Sequence, residues 1–282
     1  MQQTIAKEIT IKGIGLHSGA ESVLVLKPAE ENTGIVFRRS DIADAAEVKA
    51  IYSNVADTRN CTCLADKMGN PISTVEHVMS ALYILGIDNV YAEISSPEMP
   101  IMDGSAISFY KEIEKAGITK QNQPRRYIKV LKEVAFTDDK GNNIKLVPSD
   151  EFCIDFTIEF PSKIVGNQKF SGIINKDVFV NEIAFCRTFC EKYQIDYLRS
   201  LGLIRGGSLD NAVVLDGETI LNPEGFRVKN ECVNHKVLDA IGDMYTAGYP
   251  IIGKLIADKT GHFHNNRILA ALFADKNNYQ II

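Results

Sequence analysis

Short runs rich in apolar and β-branched residues, broken by polar ones, open the chain. Residues 4–11, which mix β-branched side chains with Lys7 and Glu8, then 21–26 and 35–39, are each bounded by Gly, Pro or Asn and predict strands. The pattern changes at Ser73-Thr74-Val75-Glu76-His77-Val78-Met79-Ser80-Ala81-Leu82-Tyr83-Ile84-Leu85-Gly86, where apolar residues lie on nearly every face of a 3.6-residue period. That predicts a largely buried helix. Ser73 with Glu76 three residues on has the form of a capping box, and Gly86 is a stop. A short strand over 90–94 and a helix over 104–116, stopped by Gly117, follow.

Gln121-Asn122-Gln123-Pro124-Arg125-Arg126 is polar, contains a proline and reads as a linker. Beyond it the order recurs. Strands are expected at 127–130, 143–147, 152–160 and 169–174, a helix over 231–247 stopped by Gly248, a strand over 251–256 and a helix over 262–274. Each half therefore reads strands, helix, strand, helix. The expectation is an α+β fold of two similar domains, 1–122 and 123–282, each a β-sheet packed on a pair of helices.

Composition narrows the function classes. The chain is 45% hydrophobic and 24% charged with a formal net charge of −5, so it is globular and has no basic excess for a phosphate backbone. No run of about 18 apolar residues is present to span a bilayer, and the N-terminus lacks the apolar core of a signal peptide. The six cysteines form no CxxC pair and read as reduced, mostly buried thiols. The expectation is a cytoplasmic protein.

Five histidines, at 17, 77, 235, 262 and 264, are the scarcest chemistry on the chain. His235-Lys236-Val237-Leu238-Asp239 sets an imidazole and a carboxylate on one helix face, with Cβ atoms roughly 5–6 Å apart. Such a pair suits a divalent metal, but taken alone it reads more readily as an ordinary solvated stripe opposite Val233, Val237, Ala240 and Met244, because i,i+4 polar pairs are common on helices. His77 lies in an apolar helix, where an imidazole needs a partner: a metal or a backbone group. Glu76 beside it is either a helix cap or the base that takes a proton from water next to a metal. His77, His235 and Asp239 would make three ligands with a fourth position open, the pattern of a catalytic zinc. His262 and His264 begin the last helix. Asp243, one turn beyond Asp239, is the carboxylate available to a protonated His262, and exposed loop histidines are the alternative for both. Thr188, after a strand, could donate to an oxyanion. The loop 202–208 is glycine-rich without the lysine of a P-loop, and offers positions for positive φ.

Seven motifs occur in an order that resembles one family. They are Gly13-Ile14-Gly15-Leu16-His17-Ser18-Gly19, Ser73-Thr74-Val75-Glu76-His77, Gly86-Ile87-Asp88-Asn89, Pro100-Ile101-Met102-Asp103-Gly104-Ser105-Ala106, Arg187-Thr188-Phe189, His235-Lys236-Val237-Leu238-Asp239-Ala240-Ile241-Gly242-Asp243 and Gly261-His262-Phe263-His264-Asn265-Asn266. The family is UDP-3-O-acyl-N-acetylglucosamine deacetylase (LpxC), and the resemblance runs from about residue 3 to about 275.

The resemblance implies a zinc amidase that removes acetate from UDP-3-O-(3-hydroxyacyl)-N-acetylglucosamine, the committed step of lipid A synthesis. It also implies small inserts and an active site between the two domains. Its zinc ligands fall on His77, His235 and Asp239, its general base on Glu76, and its second catalytic group on His262 with Asp243 beside it. Thr188 matches the oxyanion threonine and Lys236 the lysine near the substrate's polar portion. Phe189, Ile195, Ile204, Gly207 and Ala212 match positions around the acyl-chain passage, in an insert over about 189–212. The expected partner is the UDP-linked acylated glucosamine alone, bound by a monomer with no nucleic acid and no stable membrane insertion. The family usually has an apolar residue where His264 stands, which favours the loop reading of His264. Two alternatives stand beside this one: a non-catalytic binder of nucleotide sugars or acyl chains, and a zinc hydrolase of another amide or ester. The intact Glu76 speaks against the first and the long motifs against the second.

Overall fold

A computed structural model describes residues 1–282, and the chain builds one arrangement twice. The stretch expected as one strand over 4–11 is two, β1 (Gln3–Ile5) and β2 (Ile9–Ile14). Ala6, Lys7 and Glu8 between them are all exposed, so the inward–outward alternation breaks there. β2 forms a hairpin with β3 (Glu21–Pro28), and β4 (Ile35–Arg39) and β5 (Val48–Lys49) follow. Three short strands come next, β6 (Val55–Asp57), β7 (Cys63–Ala65) and β8 (Pro71–Ile72), then α1 (Glu76–Ile84), β9 (Val90–Ile94) and α2 (Ile107–Ala116). β10 (Ile118–Lys120) closes this half by pairing with β1.

The second half opens with β11 (Ile128–Val130), the hairpin β12 (Val134–Thr137) and β13 (Asn143–Val147), then β14 (Phe152–Glu159) and β15 (Asn167–Ile173). A short turn of helix, α3 (Lys176–Val178), leads to a second small insert: β16 (Phe189–Glu191), α4 (Lys192–Ser200), β17 (Val213–Asp216) and β18 (Thr219–Ile220). Then come α5 (Glu231–Tyr245), β19 (Ile251–Asp258), α6 (His262–Ala274) and β20 (Tyr279–Ile281).

The strand order makes the repeat plain. The first sheet runs β2-β3-β9-β4-β5, with β9 antiparallel to β3 and parallel to β4. In the second, β12 pairs β13, β19 is antiparallel to β13 and parallel to β14, and β14 pairs β15. Over these five strands the topologies match position for position; the second sheet also takes in β11, parallel to β19, and β20 beside it. Each insert is a three-stranded sheet placed between the fourth strand and the long helix, β6-β7-β8 in one half and β16-β17-β18 in the other. One face of each main sheet is apolar by alternation, as with Phe152, Ile154, Phe156 and Ile158 of β14.

The connection over 121–126 is pinned rather than loose. Gln121 donates to the Ala29 carbonyl at 2.9 Å and accepts from Asn89 at 2.7 Å, and Arg125 donates to Asp88 at 2.8 Å. A single apolar cluster of 59 buried residues runs through both halves, so no water layer separates them. At its centre α1 packs on α5. The helices approach so closely at Gly242 that a Cβ there would stand 2.0 Å from the Glu76 carbonyl oxygen. No helix is long and apolar enough to cross a membrane.

Gly242→Ala must therefore push α5 off α1. The expected cost is about 1–3 kcal/mol of overpacking, read as a lowered melting temperature. Gly261→Ala is the control, since nothing lies within 4 Å of the Cβ it would add; equal melting temperatures for the two variants would show that the close approach is not limiting.

Candidate active site

The α1–α5 contact brings together residues that are far apart in sequence. The ligand atoms of His77, His235 and Asp239 all lie within 4.8 Å of one another, and all three side chains are buried. Asp239 Oδ1 is 3.5 Å from His77 Nε2 and 3.4 Å from His235 Nε2, and it has no hydrogen-bond partner. An orphaned buried carboxylate oxygen between two imidazole nitrogens fits a divalent cation.

The protonation states agree with that fit. His235 Nδ1 is 3.0 Å from the Cys186 carbonyl, which can only accept, so Nδ1 carries the proton and Nε2 offers its lone pair. Burial, only partly countered by Asp239, pushes the His235 pKa down to about 3 and keeps the ring neutral. Burial alone would raise the Asp239 carboxyl, but His235 and Lys236 outweigh it and hold it well below the usual range. Lys236 Nζ donates to Asp239 Oδ2 at 2.8 Å. The solvated-stripe alternative for His235 and Asp239 fails because α1 covers that face; the two are 1% and 3% exposed.

Glu76 is not a capping-box acid. Val75 precedes α1 without a side-chain cap, and the Ser73 hydroxyl donates instead to Cys63 Sγ. Glu76 Oε2 accepts from the Thr62 backbone N–H at 3.0 Å, which leaves Oε1 toward the chamber, 3.9 Å from His262 Nε2. Burial raises the Glu76 pKa, against the pull of His262 and His77.

His262 is held from behind. Its Nδ1–H donates to Asp243 Oδ2 at 2.8 Å, and the other partners of Asp243 are Asn265 at 2.8 Å and the Thr62 hydroxyl at 2.5 Å. Neither His262 nor His264 is an exposed loop residue. Both are buried, and His264 pairs with Asp138 at 3.0 Å, away from the chamber.

The segment that leads into β16, with Cys186 and Thr188, is fixed by a buried ion pair. Arg187 Nε donates to Glu231 Oε1 at 2.8 Å, the Arg187 backbone N–H donates to the same oxygen, and a second nitrogen reaches Glu224. A buried pair of this kind locks geometry more than it adds stability. It ties the first residue of α5 to the carbonyl that orients His235.

Thr188 and Lys236 line the small chamber, about 20 Å³, beside His77, His235 and Asp239, which is room for about one water. The chamber adjoins a cavity of about 440 Å³, and Leu16, His17, Asn60, Thr188, Lys236 and His262 line both. Phe189, Ile195, Ile204, Gly207 and Ala212 all line the larger cavity, as does Leu198. Leu201 does not; it is 57% exposed. In the glycine-rich loop, Gly202 has a positive φ, but Gly206 is required for a different reason: a Cβ on it would lie 2.2 Å from the Gly15 carbonyl.

His17, Asn60 and Thr62 reach the site although the sequence reading gave them no role. His17 sits in the Gly13–Gly19 motif, on a loop whose His17 and Ser18 N–H groups donate to the buried Glu98 carboxylate at 2.8 and 2.7 Å. Both its ring nitrogens are buried without partners. Thr62 carried no signal beyond standing between two cysteines.

Burial by itself would lower His262, but Asp243 and Glu76 outweigh it and push the pKa up to about 9 from 6.5. A raised pKa in the folded state gives stability that is complete below about pH 6.5 and is lost as pH rises through about 9. In the metal-free protein the His262 ring should titrate near pH 9 by NMR. The melting-temperature gap between wild type and His262→Gln should close over the same interval; a titration below pH 6.5 would contradict the arrangement.

The model of the LpxC family, UDP-3-O-acyl N-acetylglycosamine deacetylase, matches residues 2–274. A protein of Vibrio parahaemolyticus serotype O3:K6 named UDP-3-O-acyl-N-acetylglucosamine deacetylase is 46% identical over 278 residues, 98% of this chain and 90% of its own length. Proteins of the same name from Photobacterium profundum and Haemophilus influenzae (strain PittEE) are 44% and 43% identical, over 99% and 100% of this chain and 92% of each relative. Matched from end to end, with its scarce histidines gathered at one buried chamber, the chain belongs to the UDP-3-O-acyl-N-acetylglucosamine deacetylase family.

Proposed function

We propose that this chain is a zinc-dependent deacetylase that hydrolyses the N-acetyl group of UDP-3-O-(3-hydroxyacyl)-N-acetylglucosamine, the committed step of lipid A synthesis. The observation that carries the reading is the chamber itself. Three convergent ligand atoms stand beside a buried carboxylate and a histidine, and the chamber opens on an apolar cavity. A binder of nucleotide sugars has no use for a buried Glu76, whose free oxygen faces the chamber.

His77, His235 and Asp239 would hold the zinc. Zinc, when bound, supplies Lewis acidity that polarises the amide carbonyl and acidifies water. Glu76 Oε1 takes the proton from the attacking water, and the raised pKa that burial gives Glu76 suits it to that task. The Thr188 hydroxyl donates to the oxygen on which negative charge develops. His262, with Nδ1 held by Asp243, presents Nε2–H to the chamber and supplies positive charge and a proton for the leaving amine. Lys236 stands at the junction of chamber and cavity, near the polar portion of the substrate.

The larger cavity takes the acyl chain, at about 0.8 kcal/mol per buried CH₂. Phe189, Ile195, Ile204 and Ala212 form its walls, and Gly207 keeps one wall low. The chain acts as a monomer in the cytoplasm, with its domains at 1–122 and 123–282 and the site between them.

The decisive assay is release of acetate from the UDP-sugar, with and without a chelator. His235→Ala should lose most of its zinc. Glu76→Gln should keep zinc and lose roughly 10²–10⁴ in turnover; normal turnover in that variant would remove Glu76 from the mechanism. A side chain at Gly207 meets the Ile204 carbonyl at 3.2 Å and Leu16 at 3.6 Å from its Cβ onward. Gly207→Leu should therefore lose far more kcat/KM on a long-acyl substrate than on one without the acyl chain, and equal losses would place the chain elsewhere.

A further inference from the structure

We infer that Thr62 is a positioning residue for both proton-transferring groups of the site: its backbone N–H sets Glu76, and its hydroxyl sets His262 through Asp243. The inference rests on the deacetylase reading above.

Thr62 is 3% exposed and stands immediately before β7, in the insert of the first half. Each of its polar groups is committed. The N–H donates to Glu76 Oε2 at 3.0 Å, the carbonyl accepts from Val75 N–H at 3.3 Å, and the hydroxyl donates to Asp243 Oδ1 at 2.5 Å. The Thr62 hydroxyl oxygen also lies 3.3 Å from His262 Nδ1. One residue thus touches the carboxylate of α1, the carboxylate of α5 and the imidazole of α6.

The chemistry of these contacts is specific. A carboxylate has two oxygens, and either could take a proton. An N–H on Glu76 Oε2 favours charge on that oxygen and leaves Oε1, on the chamber side, as the one free to accept. Asp243 presents one oxygen to His262 and Asn265 and the other to Thr62. Without the Thr62 hydroxyl, Oδ1 would be a buried acceptor with no donor. The carboxylate would then be free to rotate toward other donors and take the imidazole with it. The β7 insert is therefore part of the catalytic geometry and more than a cover over the first sheet.

Valine and serine separate the two properties of threonine. Thr62→Val keeps the shape and the N–H and removes only the hydroxyl; Thr62→Ser keeps both hydrogen-bonding groups. With rates expressed per zinc-loaded site, Thr62→Val should lose roughly 10–100-fold in kcat, with KM and zinc content unchanged. Thr62→Ser should stay close to wild type. In an Asp243→Asn background, Thr62→Val should add no further loss, because the hydroxyl acts through Asp243. Full kcat in Thr62→Val would overturn the inference. So would a loss confined to zinc content or KM, a serine variant as slow as the valine one, or losses that multiply in the double variant. If the wild-type protein itself releases no acetate, the deacetylase reading fails first, and the outcomes are distinct.

Discussion

The closeness of two helices governs the rest of the molecule. α1 and α5 meet where Gly242 faces the Glu76 carbonyl, with no space for even a methyl group. That approach sets the distance between His77 on one helix and His235 and Asp239 on the other. A glycine in the middle of a helix costs roughly 0.5–1 kcal/mol relative to alanine, and here it sits one turn from Asp239. Helix propensity at that position yields to the geometry of the site. The two sheets, copies of one topology, act as rigid backings that hold the two helices face to face.

Burial in so tight a place makes every carboxylate a separate case. Asp239 stays ionised because Lys236 and His235 outweigh its desolvation, whereas Glu76, with no lysine on it, rises. Asp243 faces His262 and Asn265 and never reaches the ligand atoms. Glu231 is spent on Arg187, and Glu98 on the backbone of the His17 loop. Five buried acids thus sit in five settings: between two imidazoles, on a backbone N–H, on the His262 ring, on Arg187 and on a loop backbone. What separates them is which donors surround each one.

Much of this was legible in the sequence, and the failures have physical causes. α6 spans His262–Ala274 as the pattern predicts, and β14 and β19 follow plain alternation. The start of α1 was misread because Ser73 and Glu76 have the spacing of a cap, while tertiary partners, Cys63 and Thr62, claim both side chains. The pair His235 and Asp239 could be seen as one face of a helix, but the covering of that face by α1 could not, since spacing within α5 says nothing about a helix from the other half. His264 was expected in a loop because its partner, Asp138, lies in the β12–β13 turn. Thr62 was invisible for the same reason: all its significance lies in residues distant along the chain.

The duplicated topology also bears on how the protein is assembled in time. β9 and β19 are the last strands along the chain in the five-strand order that the sheets share, and each is preceded by α1 or α5. The contact between α1 and α5 has a long sequence separation, so loop-closure entropy opposes it until each half is largely formed. The buried cluster of His77, His235 and Asp239 exists only once the halves have docked. Interactions that form after the rate-limiting barrier leave the folding rate alone and slow unfolding. An ion bridging the two helices would accordingly act as a latch on the finished protein, lengthening its lifetime without hastening its formation.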